Sequence, residues 1–331
     1  MEPTAKGKHQ DLFYQLTPDF VLDAVEACGW RTTGEYLQLN SYENRVYSIR
    51  IEDPPGAQVI GKFYRPNRWS EAALREEHEF LLELEAAGVS VVAPFRQGNG
   101  DTLSLHHGLW CAVFPKARGR MPQELGLDDL TRLGRVLARL HNVGATKAAR
   151  HRAILDCENL GWPALKVISP LISPDLRDRY LDAAEGILGY LESELNPRGF
   201  QRIHGDCHRG NVLQTDEPGK PREFFLVDFD DFCMGPPVQD FWMLFRRDEE
   251  DFGEEIDALL SGYTELRDFD KTQLRLMEPL RGLRIIHYAA WIARRWPGPR
   301  LPPRLRPFFG TDAYWRDQLE ELNGVWDALQ D

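Results

Sequence analysis

Cysteine is scarce in this 331-residue chain, and the five present, Cys28, Cys111, Cys157, Cys207 and Cys233, form no C-x-x-C pair. So odd and scattered a set supports neither a disulfide framework nor a four-thiolate zinc site, and it points to reduced thiols in a cytosolic protein. Long hydrophobic runs are missing as well. Stretches such as 285–293 reach only about half of the ~20 residues that a membrane span requires. The opening segment MEPTAKGKHQDLFYQL lacks the apolar centre of a secretion signal. A cytoplasmic protein with no membrane partner is therefore expected. Positive charge is in deficit: 40 Lys and Arg stand against 52 Asp and Glu, a net charge of −12. Sequence-independent nucleic-acid binding needs clustered basic residues, so no nucleic-acid partner is expected. Neither an internal period nor a low-complexity tract occurs, which sets repeat architectures aside. Two nucleotide signatures also fail. The Gly-Lys pairs at Gly7, Gly61 and Gly219 are followed by His, Phe and Pro, and Gly98-x-Gly100-x-x-Leu103 lacks its third glycine.

What is present is enough for a core: 42% of the residues are apolar and 11% aromatic, which excludes extensive disorder. The first third alternates strand-like runs with turns, at 36–39, 45–51, 58–64, 103–105 and 110–114. Pro54-Pro55-Gly56 and Gly98-Asn99-Gly100-Asp101 supply turn chemistry between them. One helix interrupts these strands at 70–87, capped by Ser70, with an apolar stripe at Leu74, Phe80, Leu81 and Leu84. Beyond Pro115 the pattern turns to long amphipathic helices, for example 127–141, 176–195, 254–263 and 272–296. Two short strands, 211–214 and 223–227, break that series and are joined by the turn-rich 215–221. The expected class is α+β: a small sheet-plus-helix lobe over residues 1–115, a hinge near 114–119, and a larger, mainly helical lobe over 116–331.

Chemistry concentrates in Ile203-His204-Gly205-Asp206-Cys207-His208-Arg209-Gly210-Asn211, followed by Leu226-Val227-Asp228-Phe229-Asp230. The spacing H-x-D-x-x-x-x-N, with an Asp-Phe pair at the end of a short strand, is that of a phosphoryl-transfer catalytic loop. Such chemistry needs a carboxylate beside the attacking hydroxyl, and oxygen ligands one loop later for Mg2+ on ATP phosphates. Asp206 is the candidate for the first, and Asn211 with Asp228 for the second. Asx residues near glycine often cap turns, but three polar positions at fixed offsets, a hairpin and a second Asp exceed what a cap explains. His204 reads as a scaffold residue, whereas His208 stands where it could meet phosphate or substrate. A cation for the α- and β-phosphates is also required, and Lys62 on the third strand is the candidate. Its partner is expected to be Glu77, which shares the inward face of helix 70–87. Glu76 and Glu79 point away and are expected to be solvated.

On these residues the sequence resembles the aminoglycoside phosphotransferase and choline kinase superfamily of protein-kinase-like enzymes, and within it the bacterial stress-response serine/threonine kinases. The resemblance is carried by 39–47, 62–66, 76–78, 91–94, 112–115, 204–208, 235–240 and 278–281. It implies a bilobal kinase fold whose small lobe has an antiparallel sheet, ATP and Mg2+ as donor and cofactor, and Asp206 as base. It also implies catalytic and metal roles for Asp228, a metal role for Asn211, Ser41 over the phosphates, and Lys62, Glu77 and Phe114 on the cofactor side. Two departures from the protein-kinase pattern stand out. The phosphate loop reads Ser41-Tyr42-Glu43-Asn44 without glycines, and Asp230 replaces the glycine of Asp-Phe-Gly, where it adds a metal-side carboxylate or makes a turn. Asp240 is expected to anchor the catalytic-loop backbone. The acceptor remains open between a protein Ser/Thr hydroxyl and a small alcohol or amino sugar. Acidic Glu249-Glu250-Asp251 with Glu254-Glu255 suits the small cation, unless it is only a solvated helix start. Basic 294–306 suits a protein, unless it is only a surface loop. The expected enzyme is a monomer.

Overall fold

Alternating apolar positions between residues 32 and 115 fold into one five-stranded antiparallel sheet. Its strands are β1 (Thr32–Leu39), β2 (Arg45–Ile51), β3 (Gln58–Phe63), β4 (Ser104–His106) and β5 (Leu109–Pro115), in the order β1-β2-β3-β5-β4. The register sets Lys62 opposite Val46 on one side and Ala112 on the other, so the lysine lies on a central strand. The computed structural model describes Phe13 and residues 16–215, 222–245, 252–295 and 307–330. These residues form two compact units. One contains residues 1–152, 208–230 and 253–267, and the other 153–207, 231–252 and 268–331.

In the first unit the sheet carries two helices. The expected one, α2 (Glu71–Ala86), begins at Ser70, whose hydroxyl accepts the Ala73 N–H, and buries Leu74, Glu77, His78, Phe80, Leu81 and Leu84. The other, α1 (Pro18–Ala27), was not expected. It is capped by the Thr17 hydroxyl, has Pro18 in its first turn, and buries Val21, Ala24 and Val25 against Ile49, Ile51 and Phe63. Ten residues give too little periodicity for an assignment, although Thr17-Pro18 is itself a start signal. Helices α3 (Leu127–Gly144) and α7 (Phe252–Thr264) approach closely: a Cβ on Gly134 would stand 2.1 Å from Leu259 O, so only glycine fits there. The strands β7 (Val212–Thr215) and β8 (Glu223–Leu226) pair antiparallel as the hairpin pattern requires.

The second unit is mainly helical. Helices α4 (Trp162–Ile168), α5 (Pro174–Glu194), α8 (Met277–Ala293) and α9 (Asp312–Gln330) pack on one another. The single helix expected over 272–296 is divided into a 3-10 stretch, Lys271–Leu276, and α8. Pro279 accounts for this, because a proline ring is tolerated only within the first turn of an α-helix. The three-residue strands β6 (Gln201–Ile203) and β9 (Cys233–Gly235) pair antiparallel, and the short helix α6 (Gln239–Trp242) follows. All five cysteines are buried and unbridged. Among the described residues no helix is long and apolar enough to cross a membrane.

Candidate active site

Lys62 Nζ lies 3.0 Å from Glu77 Oε1, with the glutamate side chain only 1% exposed. The same ammonium is 3.6 Å from Asp230 Oδ1 and 3.8 Å from Asp228 Oδ1. Burial would lower the lysine pKa, but the Glu77 carboxylate, aided by Tyr64, Asp230 and Asp228, holds it well above the ordinary value. Arg152, fully buried and stacked 3.8 Å over the Trp69 ring, reaches to within 3.9 Å of Glu77 Oε2 and donates to Asp230 O. The expected pairing of Lys62 with Glu77 is thus present, inside a larger network of buried charges.

Asp230, buried in the 3-10 turn Phe229–Asp231, is the centre of that network. Its Oδ1 accepts from Asn44 Nδ2 at 3.0 Å, and its Oδ2 lies 3.1 Å from Arg68. Burial would raise the Asp230 carboxyl, but Arg68, Lys62, Asn44 and Arg152 overcome it and leave the pKa below the usual carboxylate range. Arg68 also pairs with Glu43, as does Arg65 at 3.1 Å, and Arg65 donates to the Glu43 and Tyr42 carbonyls. Tyr42 and Glu43 are therefore fastened by guanidinium groups, and Asn44 by Asp230 and the Arg65 backbone N–H. Ser41 stands half-buried at the start of this loop.

Asn211 ends a 3-10 turn, Arg209–Asn211, which the His208 ring caps by accepting the Gly210 N–H. Asn211 O accepts from Val227 N at 3.0 Å, so the hairpin brings Asn211 next to the residue preceding Asp228. Asp228 has a left-handed backbone, φ 62°, and a half-exposed side chain. Aspartate visits that region more readily than most residues, and such positions cluster at functional sites. Phe229 turns inward and packs edge-on against Phe80 of α2. The amide and carboxylate oxygens of Asn211 and Asp228 are hard donors suited to Mg2+. Among the described residues no cluster of three or more His, Cys, Asp or Glu forms a closed metal cage. Two donors fit Mg2+, which keeps several waters and phosphate oxygens in its shell.

Phe114 is buried on β5 with its ring edge-on to His78. His78 bridges the Tyr64 hydroxyl (2.6 Å) and the Thr102 hydroxyl (2.8 Å). Burial and the Lys62 charge press its pKa down to about 3, so it is neutral at physiological pH. Glu76 differs from expectation. Rather than being simply solvated, it accepts the backbone N–H groups of Arg150 and His151 at 2.7 and 2.8 Å. Glu79 pairs at the surface with Lys147.

In the second unit, Asp206 follows a loop pinned by Asp240, whose two carboxylate oxygens accept from His204 N and Gly205 N, both at 2.8 Å. This is the anchoring expected of Asp240. Gly205 cannot be replaced without strain: its φ is +81°, and a Cβ would stand 2.5 Å from Asp231 O. His204 Nδ1 accepts the Asp206 N–H at 3.3 Å, a scaffold role. Arg284 of α8, not anticipated, pairs with Asp206 Oδ1 at 2.6 Å. Of the expected residues, Lys62, Glu77, Asn211 and Asp228 are gathered in the first unit, with Ser41 and Phe114 on its sheet side, and Asp206 belongs to the second. Residues 249–251 and 296–306, the acidic and basic runs considered for acceptor binding, lie outside the described residues. Glu254 and Glu255 occupy the first turn of α7.

The model of the phosphotransferase enzyme family matches residues 35–277. Stress response kinase A of Salmonella choleraesuis is 36% identical over 309 residues, covering 92% of this chain and 91% of the relative. Serine/threonine protein kinase RdoA of Salmonella typhimurium is 35% identical over 309 residues, again 92% and 91% of the two chains. Among solved structures, amicoumacin kinase hAmiN in complex with AMP-PNP, Ca2+ and Ami has a TM-score of 0.74 at 18% identity, over 97% of this chain and 96% of that one, a likeness of fold. The chain accordingly belongs to the phosphotransferase enzyme family, beside its stress response kinases, and is a kinase with the protein-kinase-like α+β fold.

Proposed function

We propose that this kinase transfers the γ-phosphoryl group of ATP, with Mg2+, to Ser or Thr hydroxyls of protein substrates. The supporting observation is the buried Lys62 ammonium, held between Glu77, Asp230 and Asp228. Phosphoryl transfer needs a fixed cation on the donor phosphates, and a fully buried Lys–Glu pair is a costly feature unless it serves such a role. Lys62, oriented by Glu77, would bind the α- and β-phosphates. Ser41 would cover the phosphates with its hydroxyl and backbone N–H, and Phe114 would line the cofactor side. Asn211 and Asp228 would hold Mg2+, which when bound supplies charge neutralisation at the phosphate oxygens. Asp206 would orient the acceptor hydroxyl and receive its proton. In this reading residues 1–115 supply the nucleotide-phosphate side and 116–331 the catalytic loop and acceptor side, in a monomeric cytoplasmic enzyme.

The protein acceptor follows the name of the RdoA relative, a serine/threonine protein kinase. A second reading, a small hydroxyl compound as acceptor, is favoured by the fold likeness to amicoumacin kinase. Incubation with γ-labelled ATP and Mg2+ separates them when the chain itself, a basic protein and a panel of amino sugars and amino alcohols are offered together. Phosphoserine or phosphothreonine on protein supports the first reading, and label confined to small molecules replaces it with the second.

A further inference from the structure

Arg284 has no place in the phosphoryl-transfer scheme above, yet its Nη1 lies 2.6 Å from Asp206 Oδ1. The loop does not depend on it for shape. Asp240 accepts both N–H groups before Asp206, Gln239 donates to Gly205 O at 3.0 Å, and His204 accepts the Asp206 N–H. Stability is no better a reason. Asp206 Oδ1 is buried, but the Arg284 side chain is 38% exposed, and an ion pair with one member so open to water contributes about 1 kcal/mol at most. What remains is recognition. A guanidinium has five donors in a planar fork, and one oxygen of Asp206 leaves most of them for a second anion. The face of α8 that carries Arg284 continues with Tyr288 and Trp291, stacked at 5.4 Å, and the turn after the helix brings the Arg295 guanidinium 4.1 Å from the Trp291 ring centre. At ~1.5 Å per residue the seven helical steps from Arg284 to Trp291 span roughly 10 Å, the reach of about three residues of extended peptide.

We propose that Arg284 is a specificity-determining residue, selecting a hydroxyl flanked by carboxylates, as in an acidic peptide segment, and rejecting one flanked by a cation. The inference rests on the reading of Asp206 as the group that receives the acceptor proton. An incoming ammonium beside Arg284 meets like charge at the point of transfer, whereas a carboxylate gains a bidentate partner. The overall charge of −12 does not reverse this preference, since distant charges are screened beyond about 8 Å at physiological salt and Arg284 acts at contact.

The test is a ratio measured on one enzyme preparation, so that partial misfolding of a variant cancels. Peptides of equal length carry one Ser flanked by Asp or by Lys, and glycerate and aminopropanol form the small-molecule pair. The kcat/KM ratio of acidic to basic acceptor is expected to exceed about tenfold in the wild type. It should fall to about 1 in Arg284→Gln, through KM of the acidic acceptor, and keep its direction in Arg284→Lys. A wild-type ratio at or below 1, or an unchanged ratio in Arg284→Gln, overturns the proposal. Label on small molecules only overturns the protein-kinase reading, while the glycerate-to-aminopropanol ratio still decides the role of Arg284. Label on no acceptor overturns both.

Discussion

Asp230 accepts the Asn44 side-chain amide at 3.0 Å across 186 positions of sequence, tying the end of the Asp-Phe-Asp segment to the loop between β1 and β2. The same carboxylate faces Arg68 and Lys62. One buried acid thus fixes the loop proposed to cover the phosphates and the lysine proposed to bind them.

Asp230→Asn should destabilise the chain by about 3–5 kcal/mol at pH 7, the usual cost of leaving buried charges without their partner. Because the folded carboxyl has a depressed pKa, its contribution is present above the unfolded value near 4 and is lost as pH falls below it. Urea unfolding of wild type and variant should therefore differ most above pH 5 and converge in acid. A difference that is independent of pH would contradict the assignment. Hydrogen exchange at residues 42–45 should also quicken in the variant.

Lys62→Ala leaves Glu77 buried without its nearest cation, and a loss of about 3–5 kcal/mol is expected. Lys62→Met with Glu77→Leu removes both charges and should recover much of that stability while phosphoryl transfer stays lost. Denaturant midpoints set beside turnover will show whether the pair serves function at the expense of stability. Recovery of turnover in the double variant would refute the role of Lys62.

Much of this was legible in the sequence. Strands β2 and β3, helix α2 and the hairpin of β7 and β8 lie where alternation, turn residues and capping put them, because local pattern and tertiary burial agree there. Glu77 is legible from its helical face once Lys62 is expected to need a carboxylate partner on that helix. The three-residue strands β6 and β9 are too short to show any period. The roles of Asp230 and Arg284 depend on partners brought close only by folding. The hydrogen bonds of Glu76 are not legible in the sequence, because the two donors it accepts from, the backbone N–H groups of residues 150 and 151, leave no trace in composition.

His78 offers a test by pH. Its folded pKa of about 3 lies below the unfolded value near 6.5, so the neutral ring is favoured and stability rises with pH between them. From pH 6 down to pH 4 this residue alone should remove about 1.4 kcal/mol per pH unit. An NMR titration should find the His78 imidazole still neutral at pH 5, and a midpoint near 6.5 would contradict the buried bridge between Tyr64 and Thr102.

Asp228→Ala should weaken ATP binding in the presence of Mg2+ and change it little in EDTA, because the lost group is a proposed metal ligand. Calorimetric titration of ATP at several Mg2+ concentrations measures this directly. Equal weakening with and without the metal would assign Asp228 to the nucleotide instead.

The most direct measurement compares wild type with Asp206→Ala in single-turnover transfer of label from γ-labelled ATP to a Ser- and Thr-bearing protein, with Mg2+ or with EDTA. The proposed mechanism predicts phosphoserine or phosphothreonine that disappears in EDTA and forms about 10²- to 10⁴-fold more slowly in the variant, with ATP affinity retained. Transfer by Asp206→Ala at the wild-type rate, or transfer undiminished in EDTA, would contradict it.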